Sequence, residues 1–177
     1  MLIFIKMRKS ILQEIEIPEE VEVEIIKNEV IVNGKEGKNK RDFKLGKIKI
    51  EKKDNKIIIE YKNSTKKEKK IINSVAAHVR NMIKGVQKKF EYKLKICFSH
   101  FPFTVKIEGR NAIIKNFLGE KIERKTKIPG GVEVEIDRDV ITILSADREK
   151  AGEASANLER VTQIRNRDRR VFQDGIF

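Results

Sequence analysis

The sequence predicts an α+β protein of two tandem, duplicated domains, each a small, mainly antiparallel sheet packed against one long helix. Three observations carry this. The order hairpin, loop, hairpin, helix occurs twice. An offset of 82 brings Ile59 onto Ile141, Tyr61 onto Ile143, Ala76 onto Leu158, Val79 onto Val161 and Met82 onto Ile164. Each presumptive helix opens on a capping residue, Thr65 or Asp147. A sheet of this size buries one face only against a helix of its own, so each half reads as a domain: 1–87 and 88–177.

In the first half, Ile11–Ile17 is a short strand ending at Pro18. Val21–Ile25 alternates apolar and polar with period two, as a half-buried strand does. Lys27-Asn28-Glu29 turns it into Val30–Val32. Gly34-Lys35-Glu36-Gly37 ends that hairpin, and a basic loop runs to Arg41 and Phe43. Ile48–Glu51 and Ile57–Tyr61 form a hairpin about Asp54-Asn55. Thr65-Lys66-Lys67-Glu68 has capping-box spacing, and Ile72, Val75, Ala76, Val79 and Met82 form a helical stripe that Gly85 closes.

In the second half, Phe90–Phe98 is a strand interrupted by His100-Phe101-Pro102. Phe103–Ile107 and Ala112–Lys115 form a hairpin, and Asn116–Lys121 is a loop. Ile122–Ile128 is a strand. Val132–Ile136 and Val140–Leu144 form the last hairpin. The final helix shows Ala151, Ala154, Leu158, Val161 and Ile164 on one face.

Of the 177 residues, 40 are Lys or Arg and 27 Asp or Glu, a net charge of +13. Such a balance favours nucleic acid over acidic proteins as a partner. Much of the lysine is surface habit, since Lys and Glu enrichment also marks hot-adapted proteins. The informative feature is local: Arg165, Arg167, Arg169 and Arg170 fall within six positions. The planar guanidinium bonds phosphate bidentately where lysine is a point charge. A solvated, frayed terminus is the plain alternative, against which stand Val171, Phe172, Ile176 and Phe177. The loop adds Lys121, Arg124, Lys125 and Lys127.

Other chemistry finds little support. Cys97-Phe98-Ser99-His100 is a C-x-x-H pair, but zinc needs four ligands and a thiol nucleophile needs an oriented base in a pocket. Cys97, the one cysteine, reads as a small buried residue in a reducing compartment. Gly34-x-x-Gly37-Lys38 lacks the spacing of a phosphate-binding P-loop. Met1–Ile5 is too short to span a membrane; it is a candidate edge strand, or an extension ahead of a second start at Met7. No enzyme activity, metal or cofactor is expected, and the protein should be soluble and intracellular. Without an aromatic ladder or a GXXG clamp, recognition of structured RNA by shape and phosphate fits better than base readout.

Several segments resemble one family, the L-six large-subunit ribosomal proteins in their archaeal and eukaryotic form. They are Ile15-Glu16-Ile17-Pro18-Glu19-Glu20-Val21, Ala77–Val86, His100-Phe101-Pro102, Asn116-Phe117-Leu118-Gly119-Glu120-Lys121 and Arg169-Arg170-Val171-Phe172-Gln173-Asp174-Gly175-Ile176. The likeness runs from about Met7 to Phe177. It implies a cytoplasmic, structural constituent of the large ribosomal subunit that binds 23S-class rRNA. It also implies a place near the acidic stalk base and the sarcin–ricin region, beside neighbouring ribosomal proteins and close to where translational GTPases dock. The implied rRNA-facing set is Asn116, Gly119, Lys121, Arg124, Lys125, Arg165, Arg167, Arg169, Arg170, Phe172, Asp174 and Gly175. Gly119 and Gly175 would let backbone approach RNA, and Asp174 would cap or pair with a tail arginine. A free RNA-binding accessory factor is the alternative.

Overall fold

The structure is a computed structural model, and it describes residues 9–46, 48–99, 101–168 and 170–177. The expectations for Met1–Ile5, Met7, His100 and Arg169 therefore lie outside the described residues. The chain divides into two compact units between Lys88 and Lys89.

The first repeat contains β1 (Lys9–Glu16), β2 (Glu22–Ile26), β3 (Glu29–Gly34), β4 (Gly37–Asp42), β5 (Lys49–Lys53), β6 (Lys56–Ser64) and α1 (Lys66–Gln87). Two antiparallel sheets form, ordered β1-β6-β5 and β2-β3-β4. Both lie against α1, because alternate strand residues and one helix stripe are apolar. Val30, Val32, Ile57, Ile59, Ile72, Ala76 and Val79 form a fully enclosed core. The Thr65 cap and its capping box with Glu68 fix where α1 begins.

The segment before Phe43 that reads as a basic loop is instead the edge strand β4, paired along its length with β3. Its lysines point outward at alternate positions while Asn39 is buried, so ladder pairing overrides the low strand propensity of Lys, Asn and Asp. The α1 helix also runs two residues past Gly85. Its end lies on β3: a Cβ on Gly34 would fall 2.8 Å from Val86 Cγ2 and 2.9 Å from its carbonyl oxygen. Only glycine fits this link, whose Glu36 amide donates to the same carbonyl.

The second repeat contains β7 (Phe90–Cys97), β8 (Thr104–Glu108), β9 (Asn111–Lys115), a 3₁₀ turn (Phe117–Gly119), β10 (Arg124–Lys127), β11 (Glu133–Asp137), β12 (Val140–Ser145), α2 (Arg148–Val161) and β13 (Gly175–Ile176). Its sheets are ordered β10-β9-β8 and β11-β12-β7-β13. Strand for strand this is the connectivity of the first repeat, with β13 added. The offset is not uniform. The caps Thr65 and Asp147 stand 82 apart, but the left-handed hairpin residues Asp54 and Arg138 stand 84 apart. Ile57 and Ile59 thus occupy the places of Ile141 and Ile143, and the link from sheet to helix is two residues shorter in the second repeat. Ile122, placed in a strand by its apolar character, precedes β10 and is 84% exposed.

Candidate nucleic-acid interface

The loop and the C-terminal segment are brought together by Arg124. This residue opens β10 and lies close to the end of α2. Its Nε and Nη2 donate to the two carboxylate oxygens of Glu120 at 2.7 and 2.5 Å. Its Nη1 donates to the carbonyls of Val161 and Gln163 at 2.8 and 3.3 Å. Those carbonyls lie at the helix C-terminus, where acceptors lack intrahelical donors and a cation is favoured. The guanidinium also covers the ring of Phe117, 4.4 Å from its centroid.

Phe117 is fully buried and meets Phe103 edge to face at 5.2 Å. It is delivered there by left-handed backbone: Asn116 at φ 61°, Leu118 at 51° and Gly119 at 76°. The asparagine tolerates that geometry, and its amide donates to the Pro102 carbonyl at 3.0 Å. Asn116, Gly119 and Lys121 form the exposed crest.

Beyond α2 the chain does not fray. Thr162 is buried; its hydroxyl donates to the Glu159 carbonyl and accepts the Ile176 amide at 3.0 Å. Ile164 is buried outside the helix. Arg165, Arg167 and Arg170 are exposed around Asn166, another left-handed residue. Arg167 lies 4.8 Å over the ring of half-buried Phe172. Arg170 pairs with Asp168 at 3.0 Å and is 90% exposed. The segment then joins the sheet as β13, with Gly175 opposite Cys97 and Ile176 opposite Ile96. Phe177 and Lys95 exchange backbone bonds at 2.7 and 3.0 Å.

The electrostatics tie loop and tail together. The Arg124 hydrogen bonds hold the Glu120 carboxyl below its ordinary range, helped by the charges of Arg124 and Arg167. The Arg170 side chain and amide do the same for Asp168. Lys125 lies 3.5 Å from Glu123, whose carboxyl is lowered first by Lys115. Among the described residues, Lys121 and Arg165 have no hydrogen-bond or ion-pair partner.

The sequence-derived set thus divides. Asn116, Gly119, Lys121, Lys125, Arg165, Arg167 and Arg170 are exposed. Arg124 is committed to internal partners. Asp174 is 1% exposed, and its carboxylate accepts the Ser99 amide and hydroxyl at 2.8 and 2.7 Å. Gly175 is buried, and a Cβ there would fall 2.9 Å from the Phe177 ring, so the close approach it permits is to its own chain. Sequence reasoning passed over Glu120, Thr162 and Ser99. Only Glu120 carried a signal, its i,i+4 spacing from Arg124.

Fold and face together define a class, a duplicated α+β protein with a cationic loop-and-tail surface on its second repeat. The profile of the family described as Ribosomal protein L6 matches residues 17–89 and 101–175, once in each repeat. A large ribosomal subunit protein uL6 from Methanobrevibacter smithii is 45% identical over 168 residues, 95% of this chain and 94% of its own length. The proteins of the same name from Staphylothermus marinus and Aeropyrum pernix are 46% and 40% identical over 171 and 168 residues, each 94% of this chain and 92% of their own length. The chain belongs to the ribosomal protein L6 family, in its archaeal branch, and is a structural protein and not an enzyme.

Proposed function

We propose that this chain is a structural component of the large subunit of the cytoplasmic ribosome and binds 23S-class rRNA through its second repeat. The observation that carries the reading is that Arg124 joins the loop bearing Lys121 to the start of the arginine segment, through Glu120 on one side and the Val161 and Gln163 carbonyls on the other. Lys121, Lys125, Arg165, Arg167 and Arg170 neutralise phosphates, and Arg169 belongs to the same run. Gly119 offers backbone without bulk, beside exposed Asn116, whose amide is tied to the Pro102 carbonyl. Phosphate contacts fix register, and RNA shape supplies selectivity. The resemblance to the family extends the reading to a place near the stalk base and the sarcin–ricin region, among neighbouring subunit proteins and near docking GTPases.

The test replaces Arg165, Arg167 and Arg170 with Ala and measures affinity for large-subunit rRNA against salt. The slope of log affinity against log salt should fall by about one per lost contact. An unchanged slope overturns the phosphate role. Footprinting of the same complex decides its place: protection confined to rRNA remote from the sarcin–ricin region overturns that part.

A further inference from the structure

A carboxylate within a surface that meets polyanion works against binding, yet Glu120 lies between Gly119 and Lys121 on the crest of the loop. Its geometry faces inward: both its oxygens accept from Arg124. All three guanidinium nitrogens of Arg124 are engaged, and the side chain is 23% exposed. The carbonyls it reaches belong to the last helical residue and to the first turn of the arginine segment. The ring beneath it is the buried anchor of the loop.

We propose that Glu120 and Arg124 are the positioning residues of the rRNA face: the pair locks loop and arginine segment in one arrangement, and neither side chain contacts phosphate. This rests on the reading of that face as the rRNA site. Arg124 looks like one more cation of the basic cluster, but its donors are directed to protein. Glu120 keeps Arg124 oriented by a two-point carboxylate fork. Preorganisation of this kind raises affinity by removing the cost of ordering two segments when RNA arrives.

Charge alone and positioning predict opposite signs. Glu120→Ala removes a negative charge beside the RNA, so electrostatics predicts tighter binding. The positioning role predicts binding about tenfold weaker, from the loss of charge-assisted hydrogen bonds, with the salt slope unchanged. Arg124→Ala should weaken binding similarly, again without flattening the slope. The double variant should be little worse than either single one, as coupled partners require. Affinity that stays level or rises in Glu120→Ala overturns the proposal, as does a slope that falls by about one in Arg124→Ala. Hydrogen exchange on the free protein gives a readout without RNA: amides of residues 117–121 and 163–168 should exchange faster in Glu120→Ala while the β11–β12 hairpin does not change. Unchanged exchange there overturns the clamp. Failure of the wild-type chain to bind rRNA would instead overturn the functional reading and leave the clamp to be judged by exchange.

Discussion

Between its third and fourth strands the first repeat needs only Lys35 and Glu36, with Gly34 and Gly37 paired at the turn. At the same point the second repeat inserts residues 116–123, with a 3₁₀ turn and a buried phenylalanine. The helices differ too, 22 residues against 14. Where α1 runs on and closes over Gly34, α2 stops, and the chain continues as the arginine segment. The two elaborations of the second repeat are the two pieces that Arg124 joins. The duplicated frame diverges at these two places, and net charge does not reveal them. Residues 1–90 carry 23 basic and 13 acidic residues, against 17 and 14 in the rest, yet the gathered guanidinium groups lie in the second half.

The sharpest way to break this comparison is Phe117→Ala. If the inserted loop is a built part of the second core, losing this ring should cost about 3–5 kcal/mol in urea unfolding. A loss under about 1 kcal/mol would make the loop an appendage on an otherwise equal repeat. A smaller effect sharpens the other side. Gly34→Ala sets a methyl against Val86 and should cost about 1–3 kcal/mol through overpacking; a neutral result would mean that the tight link of the first repeat is not held by its helix. The smallest effect is acid sensitivity. The Glu120 carboxyl ionises more readily folded than unfolded, so its contribution is full above the ordinary value of 4.5 and is lost as pH falls through the lowered folded value. NMR titration should show loop and tail resonances shifting together in that range; if the loop shifts and the tail does not, the two elaborations are uncoupled.

The doubled topology was legible because it rests on periodicity: Ile57, Ile59, Ile141 and Ile143 alternate, and Thr65 and Asp147 announce their helices. The register slip between sheet and helix was not, since a two-residue difference in a link leaves both stripes intact. β4 was hidden because an edge strand gets its order from its neighbour. In the candidate site, the cationic residues were visible as composition, but their division into exposed and committed groups was not. Arg124 and Arg170 look alike in sequence, and only the carbonyls at the end of α2 separate them. Asp174 likewise has a partner 75 residues away, which no local pattern encodes.

Strand β13 has a consequence for the arginines that precede it. Because Gly175 and Ile176 are stitched into the sheet and Thr162 is buried at the other end, the stretch between is an arch with two footings. An arch explores far less space than a dangling arm, since closing its ends has already removed most of the freedom that a polymer loses on docking. Its guanidinium groups are therefore carried on backbone that is already confined, and the folding of the repeat itself bears the entropic cost of that confinement.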